Sequence, residues 1–312
     1  MTRYINPHLR DTKRKLWDFF LWKMGYYNDS KPKENPPKDF VYPFDLAPFS
    51  RAKPYLTWIG HSSFLISFDG YTLLTDPVWS TYCSPIPIAR FKRQISPSIA
   101  LEELPPIDFV LLSHNHYDHL DAKTVKFLKT FQPQIEWIIP DGLSPWFHRR
   151  GIMKVHELKW WQSHNLARGS ITAVPAQHFS GRTLWDKNRT HWNGYLLDTG
   201  HKKLYFAGDT GYNPYDFKAI GEKWEGIDLS LIPIGTYVPE KFMQPVHISP
   251  VEAVQIHSDV RSSFSIGMHW KTFLLSDEPP DSPPYDLYLA MKEKQLPFPS
   301  FVPVEPGTYV NW

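Results

Sequence analysis

Metal-binding side chains are concentrated in one short segment that directly follows an apolar run at residues 107–112. His114, His116, Asp118 and His119 lie within six residues of one another. In extended backbone, residues two apart face the same way, so His114 and His116 can bind one ion. Asp118 and His119, after a turn, can bind a second. Imidazole and carboxylate are ordinary zinc ligands, so the segment predicts a metal site at the end of a buried strand.

Three further candidate ligands, His178, Asp209 and His269, each follow an apolar run that is typical of a strand. Gly208 precedes Asp209 and permits a close approach of the backbone. Because one loop cannot complete two coordination shells, we expect these three strand ends to meet the His114–His119 segment. Such a residue after a single strand is more often structural, but three in series favour a metal centre.

Composition restricts which residues can bind metal and which partners fit. The single cysteine, Cys83, excludes an internal disulfide framework and a cysteine-based zinc finger, so histidines and carboxylates must supply the ligands. The formal net charge of +2 argues against a broad basic face, and we expect no nucleic-acid partner.

The chain shows no sequence signal for secretion or for a membrane span. No apolar stretch reaches the roughly 18 residues that a span needs. The N-terminal residues lack the apolar run and cleavage site of a secretory signal. We therefore expect a cytoplasmic or peripherally membrane-bound protein that is not secreted by a classical signal.

Residues 1–53 differ in composition from residues 54–312, which we predict to form one domain. Basic residues precede an aromatic segment at 16–22, and a Lys/Pro-rich linker follows at 30–38. Two interpretations of this N-terminal arm remain open. It packs on the main domain or on a second subunit, as in a homodimer, or its basic-aromatic segment lies at a lipid interface.

The remaining pattern predicts alternating strands and helices. Residues 63–68 and 71–75 flank Asp69-Gly70, a dipeptide typical of a hairpin turn. Asp121 and Ser249 are predicted to cap helices over 122–131 and 250–257. Several apolar runs are typical of strands covered on both faces, at 107–112, 137–139, 171–174, 195–197, 204–207, 229–232 and 264–268. We infer two packed sheets with helices outside.

The ligand series resembles the metallo-β-lactamase superfamily, whose signature is HxHxDH followed by a downstream His, Asp and His. More narrowly, it is similar to N-acylphosphatidylethanolamine-hydrolysing phospholipase D and its bacterial relatives. The matching stretches cover most of residues 55–270 and include WIGHSSFLI, LLTDP, ELPPIDFVLLSHNHYDHLD, AQHFSGRTLWD, YFAGDTGY, IDLSLIPIGTYVP and HISPVEAVQIH.

This resemblance implies an α/β fold, the αββα sandwich, with a dinuclear metal site at one edge between the sheets. It implies two Zn²⁺ per chain, with one held by His114, His116 and His178. The other would be held by Asp118, His119 and His269, with Asp209 bridging the two ions.

The resemblance also implies roles around these ligands. Asp118 and His247 are the predicted catalytic residues, and His247 would contact a substrate phosphate or protonate a leaving group. Asp76 would brace the metal loop, since ligand loops need outer hydrogen bonds, and His61 lies on the same hairpin. The other histidines are expected to be ordinary surface or core residues, namely His8, His148, His156, His164, His191, His201 and His257.

The implied activity is zinc-dependent phosphodiester hydrolysis by a metal-bridging hydroxide. The predicted substrate is N-acylphosphatidylethanolamine, and the products are phosphatidate and an N-acylethanolamine. The alternative is a metal-dependent hydrolase of a soluble phosphorylated metabolite or lactone. A wide apolar groove beside the metals would favour the lipid, and a closed polar pocket would favour the metabolite.

Overall fold

The computed structural model describes residues 3–9, 21–22, 24–26, 36–45, 47–183 and 185–312. Most of the predicted aromatic segment and linker of the N-terminal arm therefore lies outside the described residues. In chain order, the described strands are β1 (Tyr55–Gly60), β2 (Ser63–Phe68), β3 (Tyr71–Thr75), β4 (Phe109–Leu111), β5 (Glu136–Pro140), β6 (Val155–Leu158), β7 (Ser163–Asn165), β8 (Ser170–Val174), β9 (Gly194–Asp198), β10 (Lys203–Phe206), β11 (Leu229–Pro233), β12 (Ser265–Met268), β13 (Phe301–Pro303) and β14 (Tyr309–Asn311).

These strands form two seven-stranded mixed sheets. The first sheet has the order β14-β1-β2-β3-β4-β5-β6 and the second has the order β13-β12-β11-β10-β9-β8-β7. In the first, the pairs from β3 to β6 are parallel and the others are antiparallel. In the second, the pairs from β10 to β13 are parallel, and those from β7 to β10 are antiparallel.

Six helices accompany the sheets in the described part of the chain. They are α1 (Ala122–Phe131), α2 (Ser144–His148), α3 (Asp216–Lys223), α4 (Glu240–Met243), α5 (Pro250–Asp259) and α6 (Ser282–Glu293). Short 3₁₀ turns lie at Ala89–Phe91, Leu101–Glu103 and Phe298–Ser300. No described helix is long and apolar enough to cross a membrane.

Alternating side chains divide the first sheet between two apolar cores. On β4, Phe109 and Leu111 belong to the core shared with the second sheet, whereas Val110 belongs to a core with Val125 and Leu128 of α1. Residues of α5 and α6 pack with the second sheet in the shared core. The two sheets are thus packed together with helices outside, which confirms the predicted αββα sandwich.

Both predicted helix caps are observed. The Asp121 carboxylate accepts a hydrogen bond from the Lys123 amide at 3.0 Å, and α1 begins at Ala122. Ser249 and Glu252 form a capping box at the start of α5, which extends two residues beyond the predicted end. The Asp121 cap fixes the end of the segment that carries the four clustered ligand candidates.

The direction of the strands determines where candidate ligands can meet. β1, β3, β4, β5 and β6 run the same way in the first sheet, and β8, β10, β11 and β12 run the same way in the second. Loops after these strands therefore collect at the carboxyl-terminal edge of each sheet, which is where open α/β sheets commonly bind ligands.

Candidate metal centre

The loop after β4 brings its four candidate ligands into a compact turn. The amides of His119 and Leu120 both donate to the His116 carbonyl, at 3.2 and 2.8 Å. His114 Nε2 lies 2.7 Å from His116 Nδ1, and Asp118 Oδ2 lies 3.3 Å from His119 Nε2. A turn at residues 117–119 follows irregular backbone at 112–115, so the side chains before and after the turn converge. That they bind metal stays a prediction.

The loops after β8, β10 and β12 add the remaining three candidates. His178 Nε2 lies 3.3 Å from His116 Nδ1, and His269 Nε2 lies 3.6 Å from Asp118 Oδ2. Asp209 lies between them, with one carboxylate oxygen 3.1 Å from His269 Nε2. The structure thus brings all seven residues together from four different strand ends.

The donor atoms form four overlapping groups. The first group contains His114, His116 and His178, and the second group contains His61, Asp118, His119 and His269. In the other two groups, Asp209 lies with His114 and His119, and with His178 and His247. Asp209 Oδ2 lies 3.2 Å from His119 Nε2 and 3.8 Å from His178 Nε2, so its carboxylate faces the first and second groups.

Several of these atoms are buried without a hydrogen-bond partner, which tests whether the residues fit a metal. His119 Nε2, His269 Nε2 and Asp209 Oδ1 form no hydrogen bond of acceptable geometry, although atoms of the opposite charge type lie 3.1–3.3 Å away. A buried polar atom without a partner costs about 1–3 kcal/mol. Imidazole nitrogen and carboxylate oxygen are donors that suit divalent transition metals, so the site fits a metal that would satisfy these atoms.

The histidines of the first group are neutral in the metal-free protein. Burial lowers the pKa of His116 to about 4 and that of His178 to about 3, against the opposing charges of Asp118 and Asp209. Burial, together with the neighbouring histidines, also lowers the pKa of His114 well below its ordinary value. These imidazoles can offer a lone pair without first losing a proton.

In the second group, the pKa values of His119 and His269 are raised rather than lowered. Burial disfavours their charged forms, but Asp209 and Asp118 outweigh it, raising the pKa of His269 to about 9. The same carboxylates raise the pKa of His119 well above its ordinary value. Conversely, His119 and His269 hold the pKa of Asp209 well below its usual range despite burial. Protons therefore occupy this group when metal is absent.

Outer hydrogen bonds orient the ligand side chains. Asp76 accepts from the Ser113 amide at 2.7 Å and pairs with His119 Nδ1 at 2.6 Å, which matches the predicted brace. His178 Nδ1 bonds the Val246 carbonyl at 2.8 Å, and His269 Nδ1 lies 3.1 Å from the Thr236 hydroxyl. These contacts leave the Nε2 atoms of the three histidines directed at the cluster.

Left-handed backbone is concentrated around the same cluster. His61, Asp76, Thr236 and His269 have φ values of 55°, 31°, 68° and 64°. Such conformations are uncommon for residues other than glycine and tend to occur at functional sites. Gly208 also has a positive φ of 61°, and a Cβ there would lie 2.8 Å from Ser113 Cβ, which explains the glycine before Asp209.

His61 and His247 both face the cluster. His61 Nε2 lies 3.0 Å from Asp118 Oδ2, within the second group of donor atoms, so the structure places it closer to the ligands than an outer brace requires. His247 is partly buried, and its Nδ1 lies 3.9 Å from Asp209 Oδ2. Its ring lies 5.1 Å from the ring of His178.

Arg182 is a structural support that the sequence analysis missed. Its guanidinium donates to the carbonyls of Asn115 and Leu120, at 2.9 and 2.7 Å, and stacks over Tyr117. The Asn115 side chain in turn accepts from the Gly181 amide at 2.7 Å. The loop after β8 therefore clamps the loop after β4. The only sequence signal was its place within the AQHFSGRTLWD stretch.

The N-terminal residues also reach this region. The Asn6 side chain donates to the His178 carbonyl at 2.7 Å, and the Tyr4 amide donates to the Asn188 carbonyl at 2.9 Å. Trp22 is buried, donates to Asp277 and stacks on Phe242. These described parts of the arm pack on the main domain. The predicted boundary at residue 54 and the role of residues 16–20 stay predictions.

Comparisons with known proteins confirm the family that the sequence motifs resemble. A family model described as the beta-lactamase superfamily domain matches residues 71–270. The solved structure of Igni18, a metallo hydrolase from the archaeon Ignicoccus hospitalis, covers 83% of this chain and 98% of its own, with a TM-score of 0.62 and 21% identity. That likeness concerns the fold.

Two curated relatives are more similar in sequence. N-acyl-phosphatidylethanolamine-hydrolyzing phospholipase D 1 of Caenorhabditis elegans is 42% identical over 228 residues, which are 70% of this chain and 64% of the relative. The mitochondrial N-acyl-phosphatidylethanolamine-hydrolyzing phospholipase D of Saccharomyces cerevisiae is 36% identical over 240 residues, which are 73% of this chain and 50% of the relative. This chain thus matches between half and two thirds of their lengths. The family match over residues 71–270, together with the fold and the clustered donor atoms, establishes that the chain belongs to the metallo-β-lactamase superfamily.

Proposed function

We propose that this chain is a zinc-dependent phosphodiesterase that hydrolyses N-acylphosphatidylethanolamine to phosphatidate and an N-acylethanolamine. The observation that carries the proposal is the pair of donor groups that both lie near Asp209, in a chain whose relatives are named for that activity. Two adjacent groups suit two ions, and paired metals are suited to displacement at phosphorus.

The proposed ligand assignment follows the two donor groups. His114, His116 and His178 would hold one zinc ion, Asp118, His119 and His269 would hold the other, and the Asp209 carboxylate would bridge them. The neutral state of the first group and the two carboxylates beside the second group support this assignment. When bound, the metal pair supplies Lewis-acid polarisation of a phosphoryl oxygen and activates water at neutral pH.

The chain's own residues supply orientation and proton transfer. Asp118 is partly buried, and His61 and His269 approach the same oxygen of its carboxylate, at 3.0 and 3.6 Å, so its direction is restricted. His247 would donate a proton to the alkoxide oxygen of the N-acylethanolamine as its bond to phosphorus breaks. Its partly exposed ring beside Asp209 supports that role, because it borders both the cluster and solvent.

Aromatic side chains beside the cluster support a lipid substrate. The Phe179 ring lies 4.5 Å from the ring of His116 and 4.8 Å from that of His178. Trp185, in the same loop, is 76% exposed. Exposed tryptophan is well suited to the interface between lipid and water, so we propose peripheral contact with a membrane that presents the phospholipid.

The test compares lipid and soluble substrates on the same zinc-loaded protein. We expect release of N-acylethanolamine and phosphatidate from N-acylphosphatidylethanolamine in mixed micelles, with slower hydrolysis of bis(p-nitrophenyl) phosphate. His114→Ala should lose both activities, and His201→Ala, a change at an exposed histidine, should retain them. Hydrolysis of a phosphorylated lactone or a soluble cyclic phosphodiester, with the lipid left intact, would replace this proposal with the soluble-metabolite alternative.

A further inference from the structure

A second cluster of metal-binding side chains lies outside the candidate catalytic centre. It consists of Glu136 at the start of β5, His156 on β6 and His164 on β7. The sequence analysis expected both histidines to be ordinary residues. Glu136 lies 20 positions from His156 and 28 from His164 in the sequence. The fold brings the three together.

Strand directions place this cluster at the other end of the sandwich from the catalytic candidates. Glu136 begins β5, which runs parallel to β4, whereas the ligand loop follows the end of β4. His164 pairs with Ile171, near the start of β8, whereas His178 lies beyond the end of that strand. The cluster and the catalytic candidates therefore lie at opposite edges.

The cluster also spans the seam between the two sheets. β6 is the outermost strand of the first sheet and β7 is the outermost strand of the second. His156 is paired with Ile138 of β5, so its side chain lies on the same face as Glu136, two residues before Ile138. His164 approaches this face from the second sheet, and its ring centroid lies 6.1 Å from that of Phe109.

The donor atoms of the cluster are close enough to share one ion. His156 Nε2 lies 2.7 Å from Glu136 Oε2, and His164 Nε2 lies 3.8 Å from the same oxygen. The centroids of the two imidazole rings are 4.1 Å apart, and the ring planes are inclined at 38°. One ligand atom from each residue lies within 4.8 Å of the other two. Two imidazoles and one carboxylate are a donor set used for zinc and related metals.

We propose that Glu136, His156 and His164 form a further metal site that binds a divalent transition-metal ion such as zinc across the seam between the sheets. The site differs from the catalytic centre in having partly exposed ligands, since the side chains of Glu136, His156 and His164 are 40%, 36% and 20% exposed. Water can therefore complete the coordination shell.

Charge at the cluster is compatible with a cation. Burial, and then the neighbouring His156, lowers the pKa of His164 despite the opposing charge of Glu136. The His164 ring is therefore neutral at pH 7 and has a free lone pair. Because each ligand comes from a different strand, and the strands belong to two sheets, the ion binds only the folded arrangement and stabilises it.

The experiment counts metal ions in protein that retains its catalytic centre. Wild-type protein and a His156→Ala, His164→Ala double variant are dialysed against micromolar free zinc, and their zinc content is measured. We expect the wild type to hold one more zinc equivalent than the double variant. A His148→Ala, His201→Ala variant, which changes two exposed histidines elsewhere, should match the wild type.

A further variant and a Tm measurement complete the experiment. Glu136→Gln removes the carboxylate with little change in shape and should also lose the additional equivalent. Raising free zinc above the level that fills the catalytic centre should increase the wild-type Tm by about 2 °C or more, with no such increase in the variants. Equal zinc content and equal Tm responses in the wild type and the Glu136→Gln variant would overturn the proposal. Because activity is not the readout, this result is independent of the proposed phosphodiesterase activity.

Discussion

At the scale of single residues, chemically identical histidines in the candidate metal centre differ in charge because their neighbours differ. His114 and His178 are buried and His116 is partly buried, mainly among other rings, and burial lowers the pKa of each. His119 and His269 are equally buried, but carboxylates beside them raise the pKa of both. Metal must therefore compete with protons in one group and not in the other.

This difference predicts proton release on metal binding. At pH 7 the metal-free His269 is protonated because its pKa is raised to about 9, and His119 is protonated for the same reason. Both must become neutral to donate a lone pair, so filling the site should release about two protons from these rings. Affinity should therefore fall as pH decreases below 9, by about tenfold per pH unit for each displaced proton.

Calorimetric titration of zinc in buffers of different ionisation enthalpy measures this release. His269→Ala should reduce the number of protons released by about one, because the variant lacks that imidazolium. Zinc binding without net proton release at pH 7 would contradict the charge assignment for both histidines.

His247 provides a second prediction at the residue scale. It lies outside the seven predicted ligands, so His247→Ala should leave zinc content unchanged. Turnover of an alkyl phosphodiester should fall by about 10²-fold or more, the range typical of a positioned acid. A nitrophenyl ester should lose less, since its leaving group departs without protonation.

The structure makes this a sharp test, because His247 Nδ1 also lies within reach of donor atoms from His178 and Asp209. Zinc content is measured together with turnover on both esters, with His201→Ala as the control. Loss of a zinc equivalent would make His247 a ligand. Equal losses of turnover on both esters would indicate phosphate positioning, and near-normal turnover on both would remove His247 from the mechanism.

At the scale of elements, the sequence predicted those that have strong local signals. The hairpin of β2 and β3 and helix α1 have the predicted bounds, because alternation, a turn dipeptide and an N-cap define them locally. β1, β6, β7, β13 and β14 were not predicted. β1 has six residues, whereas the other four strands have three or four, and β6 and β7 contain polar residues because they are partly exposed at the edges of the sheets.

The difference between local and long-range sequence signals also explains which parts of the site could be predicted. His114, His116, Asp118 and His119 are neighbours in sequence, and the other predicted ligands each follow an apolar strand. The approach of His61 to Asp118 joins residues 57 positions apart, and the Arg182 clamp joins loops more than 60 positions apart. Only the pairing of strands sets such contacts, so residue type and spacing carry no signal for them.

At the scale of the whole molecule, the N-terminal arm touches both the surface of the domain and the candidate centre. Trp22 is buried against Phe242, beneath the Arg90 guanidinium, which lies 4.8 Å from its ring centroid. Asn6 bonds the backbone of His178. The arm is therefore linked to the fold at points on both sides of the aromatic residues 16–20, which lie outside the described residues.

The last prediction separates the packing role of the arm from the predicted membrane or dimer contact. Trp22→Ala should lower Tm, because it leaves a cavity against Phe242 and removes a hydrogen bond to Asp277, a loss of about 3 kcal/mol or more. A Trp17→Ala, Phe19→Ala, Phe20→Ala variant should keep Tm and hydrolysis of bis(p-nitrophenyl) phosphate, yet weaken liposome binding or self-association. Melting curves, liposome sedimentation and light scattering on both variants measure these effects. An unchanged Tm in the first variant would exclude Trp22 as an anchor of the arm. If the second variant binds liposomes and self-associates like the wild type, these aromatic residues form neither contact.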